Sequence, residues 1–206
     1  MLTVDNWYHH NWAVLLAGGD LLGDTTYFRA PFYVWCLGLL YAVFGSSIWV
    51  GRLLGLVIGI GSVYLTGRIG QKLFSTRVGI VAAALHAVYP IAIYFEQELL
   101  LDPLFTFLVE LTVLRFLHWW KQPTPLRMGT VGLLLGLAAI TRPTALVFVP
   151  VVLAVMLVHK ESRLRLRQLA LLAAGLVVVI APITIRNLVV GGEPVLIASQ
   201  AGINLY

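Results

Sequence analysis

YFEQELLLDPLFTF, Tyr94–Phe107, decides how the rest of the chain reads. It sets Glu96, Glu98 and Asp102 between long apolar runs. A carboxylate at the centre of a membrane helix costs roughly 2.5–3.5 kcal/mol on insertion scales. Three acids this close together mark either a water–lipid boundary or a polar cavity that does chemistry. We expect both: the stretch lies at one membrane face, and Asp102 belongs to a site there. Pro103 suits the first turn of a helix, which puts Asp102 at its N-cap. Glu98 precedes Asp102 by four residues, so a helical segment would carry both carboxylates on one face.

Composition outside the stretch supports a membrane setting. The 206 residues are 60% hydrophobic and 11% charged, with a mean hydropathy of +0.91. Soluble domains are nearer about 45–50% apolar and about 25% charged. Strict alternation of apolar and polar residues is absent, which favours helices over a β-barrel. The expectation is an all-α, polytopic membrane protein with residues 1–206 in a single transmembrane domain. The single Cys36 excludes an internal disulfide framework and a cysteine metal site. The net charge of +5 and pI of 9.6 do not call for nucleic acid. Short loops rich in Lys and Arg set membrane orientation instead.

In chain order, residues 5–18 read as a short amphipathic helix. Its apolar face is expected at Val4, Trp7, Tyr8, Trp12, Leu15 and Leu16, with Asp5, His9 and Asn11 elsewhere. Residues 31–44 are apolar but shorter than the ~20 residues a span needs. Residues 48–66 are long enough to span, and Arg68, Lys72 and Arg77 follow as a cytoplasmic loop. Residues 78–94 return, with a kink near Pro90. A helix from Asp102 to about Leu117 leads to Lys121 and Arg127. Residues 128–140 and 144–158 are apolar helices broken at Thr141-Arg142-Pro143. Lys160, Arg163, Arg165 and Arg167 make a third basic loop before the last span, residues 169–185, which ends at Arg186. This alternation puts every basic loop on one side and Asp5, Asp20, Asp24, Glu96, Glu98, Asp102 and Glu193 on the other. Arg142 and Arg186 fall on the acidic side, where orientation rules do not explain them. Glu110, inside a span, is expected to pair with a neighbour such as Arg115 or to face the bundle.

Acids and arginines at a membrane face suit a lipid-linked anionic substrate. The lipid tail would lie between helices, and its phosphate would meet the planar fork of Arg142 or Arg186. A carboxylate could serve as base toward an incoming hydroxyl. A transporter fragment, with charges along a substrate or proton path, is the alternative from another class. A non-catalytic membrane remnant is a third reading.

A set of short motifs recurs in order along the chain: DNWY (5–8), LAGGD (16–20), YFRAP (27–31), FGSS (44–47), ELLLDP (98–103), GLAAITRPTA (136–145), TIRN (184–187) and GINLY (202–206). Together they resemble the dolichyl-phosphate-mannose protein mannosyltransferase-like family, which includes aminoarabinose transferases. The resemblance implies a GT-C-type helical bundle with two interfacial helices near the N-terminus, here residues 5–18 and 31–44. It implies inverting transfer of a sugar from a polyprenyl-phosphate donor to a glycan, lipid or protein hydroxyl on the extracytoplasmic face of the inner (plasma) membrane. Asp5 and Asp102 fall on the family's catalytic acids. Glu98, Arg142, Arg186, Tyr27 and Arg29 become candidate substrate-binding residues, Arg29 being one place from the family's usual lysine. The leaving phosphate would be stabilised by an arginine or a bound divalent metal ion, and the residues leave that choice open. Family members also carry a membrane helix before the first acid and further helices later. The chain is therefore expected to be the N-terminal half of an enzyme without its first helix.

Overall fold

The computed structural model describes residues 4–158 and 165–200, and all regular structure among them is helical. The order is α1 (Val4–Ala17), α2 (Phe32–Phe44), α3 (Ile48–Leu73), α4 (Thr76–Ala87), α5 (Pro90–Gln97), α6 (Asp102–Lys121), α7 (Pro125–Ala139), a 3-10 helix (Pro143–Val147), α8 (Phe148–Val158) and α9 (Arg165–Gly191). The punctuation is local. α1 ends at Gly18-Gly19, where Gly19 takes a φ of 100° that a side chain would strain. Ser47 caps α3 by accepting from the Trp49 N–H at 3.3 Å, and Ser75 caps α4 by accepting from Val78 at 3.3 Å. Prolines open α5, α7 and the 3-10 helix, where the missing N–H costs nothing.

Two helices, α3 and α9, are long and apolar enough to cross a membrane, and α4 with α5 makes a third if that bent pair is one span. The chain is thus an all-α membrane protein, with the two short N-terminal helices in their expected places. Several boundaries differ from the sequence reading. α3 continues through Arg68 and Lys72 rather than stopping at Thr66. A cation in the last turn of a helix is favoured by the exposed carbonyls, so a basic residue need not mark a loop. The return span is two helices bent by 55°, with Pro90 opening the second. α6 reaches Lys121, and α9 runs through Pro182 and past Arg186 to Gly191.

The chain forms two compact units. The first is Met1–Gly23 with Pro31–Glu110. Its organising surface is the small-residue face of α3. A Cβ added at Gly55 would overlap the backbone carbonyl of Glu96, and one at Gly59 would overlap the Glu96 carboxyl. Further along, Gly70 meets Gly79 of α4, where an added Cβ would lie 2.9 Å from the Gly79 Cα. Glycine at these places lets α5 and α4 lie directly on the α3 backbone, as close-packed membrane helices require.

The second unit is Asp24–Ala30 with Leu111–Tyr206. Here α7 and α9 cross at Gly132 and Gly175, and a Cβ on Gly132 would overlap the Leu172 backbone. Trp119, Met128, Val131, Leu135, Val152, Met156 and Leu172 form its buried apolar cluster. Asn187 of α9 ties two loops together. It accepts from the Tyr27 N–H at 3.2 Å and donates to the Val195 and Ile197 carbonyls at 3.1 and 3.0 Å.

Candidate functional site

In the first unit a cavity of about 110 Å³ opens where α5 gives way to α6. Gly59 and Ser62 of α3, His86 of α4, Glu96 of α5 and Asp102 and Thr106 of α6 are among its lining residues. The backbone explains which acids reach it. α5 stops at Gln97, and Glu98 is extended, with φ −93° and ψ 150°. The chain resumes helical geometry only at Asp102. Glu98 and Asp102 are therefore not on one helical face, contrary to the sequence expectation. Asp102 shares the cavity with Glu96, whereas Glu98 accepts a hydrogen bond from the Asn6 amide of α1.

α1 turns its polar residues inward. Asn6, His9, Ala13 and Leu16 are its buried face. His9 donates from Nδ1 to the Leu99 carbonyl at 2.9 Å, so α1 holds the 98–101 segment through both Glu98 and Leu99. His10 meets the Tyr41 hydroxyl of α2 at 2.8 Å. Burial pushes the Tyr41 phenol up to about 12, so it stays a neutral hydroxyl in that contact. The expected apolar face is largely the outer one: Val4, Trp7 and Leu15 are 83%, 61% and 58% exposed, as a helix lying in the interface requires. Where lipid is the solvent, apolar side chains face outward at little cost and polar ones seek protein partners. Asp5 is exposed in the first turn of α1, one residue from the inward-facing Asn6.

The basic candidates fall in the second unit. Arg186 lies inside α9 rather than at its C-terminus. Its guanidinium sits 3.8 Å from the centre of the buried Tyr27 ring, a close cation–π stack. It also donates to the Thr25 carbonyl at 2.6 Å and the Asn187 side-chain oxygen at 3.2 Å. Tyr27 and Arg186 are thus brought together, with a groove of about 320 Å³ beside them on α9, lined by Leu176, Val177, Ile180, Ala181, Thr184, Ile185 and Leu196. Arg29 is half-buried. Arg142 is exposed at the break between α7 and the 3-10 helix. Among the described residues no group of three or more His, Cys, Asp or Glu side chains converges to hold a metal ion, so no step is built on one.

Sequence reasoning missed one cluster. Glu110 does not pair with Arg115 but faces the bundle, the other expectation. It accepts from the Thr66 hydroxyl at 2.8 Å, and Thr66 meets His86 Nδ1 at 2.7 Å. A signal did exist: His86 and Glu110 are isolated titratable residues in apolar helices, and such residues find one another.

Neither a curated protein nor a solved structure matches the chain. The sequence profile of dolichyl-phosphate-mannose-protein mannosyltransferases matches residues 28–185, which takes in the Asp102 cavity, the break at Arg142 and α9 as far as Ile185. That match covers most of the sequence, and the chain belongs to this family of membrane glycosyltransferases.

Proposed function

We propose that the protein serves transfer of a sugar from a polyprenyl-phosphate donor to an acceptor hydroxyl, on the extracytoplasmic face and with inversion. The observation that carries this reading is the cavity at the α5–α6 junction, where Asp102 opens a helix beside Glu96. A cavity of about 110 Å³ accommodates a reacting hydroxyl group rather than a whole sugar. Asp102 accepts that hydroxyl's hydrogen bond and takes its proton. The hydroxyl oxygen attacks the anomeric carbon, the bond from that carbon to the phosphate oxygen breaks, and the polyprenyl phosphate leaves with the electron pair. In-line attack inverts the anomeric centre.

The second unit offers what a lipid phosphate needs. Arg186 is a fixed cation whose geometry suits phosphate oxygens. Stacking on Tyr27 removes much of its conformational freedom, so less entropy is lost on binding. The apolar groove along α9 just before Arg186 suits an isoprenoid chain. Asp5 is the second candidate acid, and Arg142 and Arg29 are further candidate contacts to the donor.

The test is sugar release by the full-length protein from a panel of radiolabelled polyprenyl-phosphate hexoses and pentoses. Asp102→Asn should lose on the order of 100-fold or more in turnover, within the range for a lost acid–base group. Asp5→Asn is assayed separately. Wild-type turnover in both variants would end this site assignment.

A further inference from the structure

We propose that Thr66, His86 and Glu110 form a proton relay, with His86 taking over the proton that Asp102 receives from the acceptor hydroxyl. The inference rests on the glycosyl-transfer reading above and deepens it. Its starting point is geometry. A threonine hydroxyl has one proton, and Thr66 donates it to Glu110 Oε1 at 2.8 Å. The same oxygen lies 2.7 Å from His86 Nδ1, so in that contact it accepts. Nδ1 therefore carries a hydrogen, and Nε2 of the neutral ring is left as the basic nitrogen. Glu110 Oε1 lies 3.8 Å from Nδ1, close enough to stabilise the ring once it is positive.

His86 is also a wall of the Asp102 cavity. Three helices thus hold one imidazole in one tautomer at that site: α3 through Thr66, α6 through Glu110 and α4 through its own backbone. Glu110 lies eight residues after Asp102, about 12 Å further along α6. The polar path thus runs from the cavity into the helical unit. A histidine and a carboxylate are costly groups to place among apolar helices. In the step itself, the acceptor O–H bond breaks as the new bond to the anomeric carbon forms. The proton goes to Asp102 and from there to His86 Nε2, the imidazolium donates through Nδ1 to Thr66, and Thr66 donates to Glu110. The proton later returns to water. The other titratable groups facing His86 across the cavity are Glu96 of α5 and Asp102 of α6. α3 presents Ser62 and Thr66, which do not titrate in this range.

The experiment compares full-length wild-type protein, His86→Asn and Glu110→Gln in sugar transfer. The amide of His86→Asn can still donate to Thr66 but has no basic nitrogen. Its turnover should fall about 100-fold, with donor KM and thermal midpoint unchanged. In Glu110→Gln the relay loses its last acceptor, so turnover should fall there too, again with donor KM unchanged. Wild-type turnover in either variant overturns the relay. An activity-independent arm uses nitrogen NMR of histidine-labelled protein, with His86→Asn assigning the signal. A ring protonated at Nδ1 is expected, and one protonated at Nε2 overturns the relay whether or not sugar is transferred. Failure of the wild-type protein to use any donor would instead defeat the glycosyl-transfer reading, with the NMR result still deciding the tautomer.

Discussion

At the scale of single residues, the site is built from side chains that satisfy one another rather than from one conspicuous acid. Glu98 is engaged by Asn6, which is fully buried, so removing Asn6 leaves a partly buried carboxylate without its donor. Such a loss costs about 1–3 kcal/mol, more where the stranded group is charged. Asn6→Ala should therefore lower the thermal midpoint in detergent, and a scanning fluorescence or light-scattering melt checks it. An unchanged midpoint would show that water replaces the amide. That a helix opens at Asp102-Pro103 was legible from sequence because Asp before Pro is a local signal, though Asp102 is the first residue of α6 and not its cap. Which glutamate would join it was not. That depends on where α5 stops, and the stop is fixed by the close seat of α5 on α3, a tertiary fact.

At the scale of elements, glycine spacing decides which helices touch. In the second unit, Gly132 and Gly129 of α7 both face α9 but at different closeness. An added Cβ at Gly132 would overlap backbone of α9, whereas at Gly129 it would lie 3.4 Å from the Leu171 Cβ, an ordinary contact. Gly132→Ala should destabilise the protein by more than about 1 kcal/mol, since backbone must shift. Gly129→Ala should be near neutral. Side-by-side thermal melts of the two variants decide the point, and equal effects would contradict the α7–α9 crossing. In the first unit, Gly59→Ala should displace the Glu96 carboxyl and lower sugar-transfer activity even where the protein still folds. The short helices at 4–17 and 32–44 were readable from length and aromatic content. The apolar face of α1 was readable too, but not that the opposite stripe packs into the protein. Asn6, His9, Ala13 and Leu16 follow a helical spacing, so the inward stripe was present in the sequence as a polar one.

At the scale of the whole molecule, the question is which face of the membrane the α5–α6 junction meets. Basic residues late in α3, at the end of α6 (Lys121) and at the start of α7 (Arg127) argue for a cytoplasmic position of those ends. Cysteine labelling tests this in a Cys36→Ser background, since Cys36 is the only native thiol. A membrane-impermeant maleimide should label Glu98→Cys in intact cells and Lys72→Cys only after lysis. The opposite pattern would invert the orientation. Sequence reached the family and the all-helical class because both rest on many weak signals spread along the chain. It did not reach the Thr66–His86–Glu110 cluster, because three residues on three helices meet only once the helices pack.

The central claim is that Asp102 acts on the reacting hydroxyl. It is tested most directly by separating kcat from donor KM for full-length Asp102→Asn with the donor that the wild type uses. A fall of about 100-fold in kcat with donor KM held within a few-fold is the predicted result. An unchanged kcat would contradict the account, and so would a loss confined to donor KM.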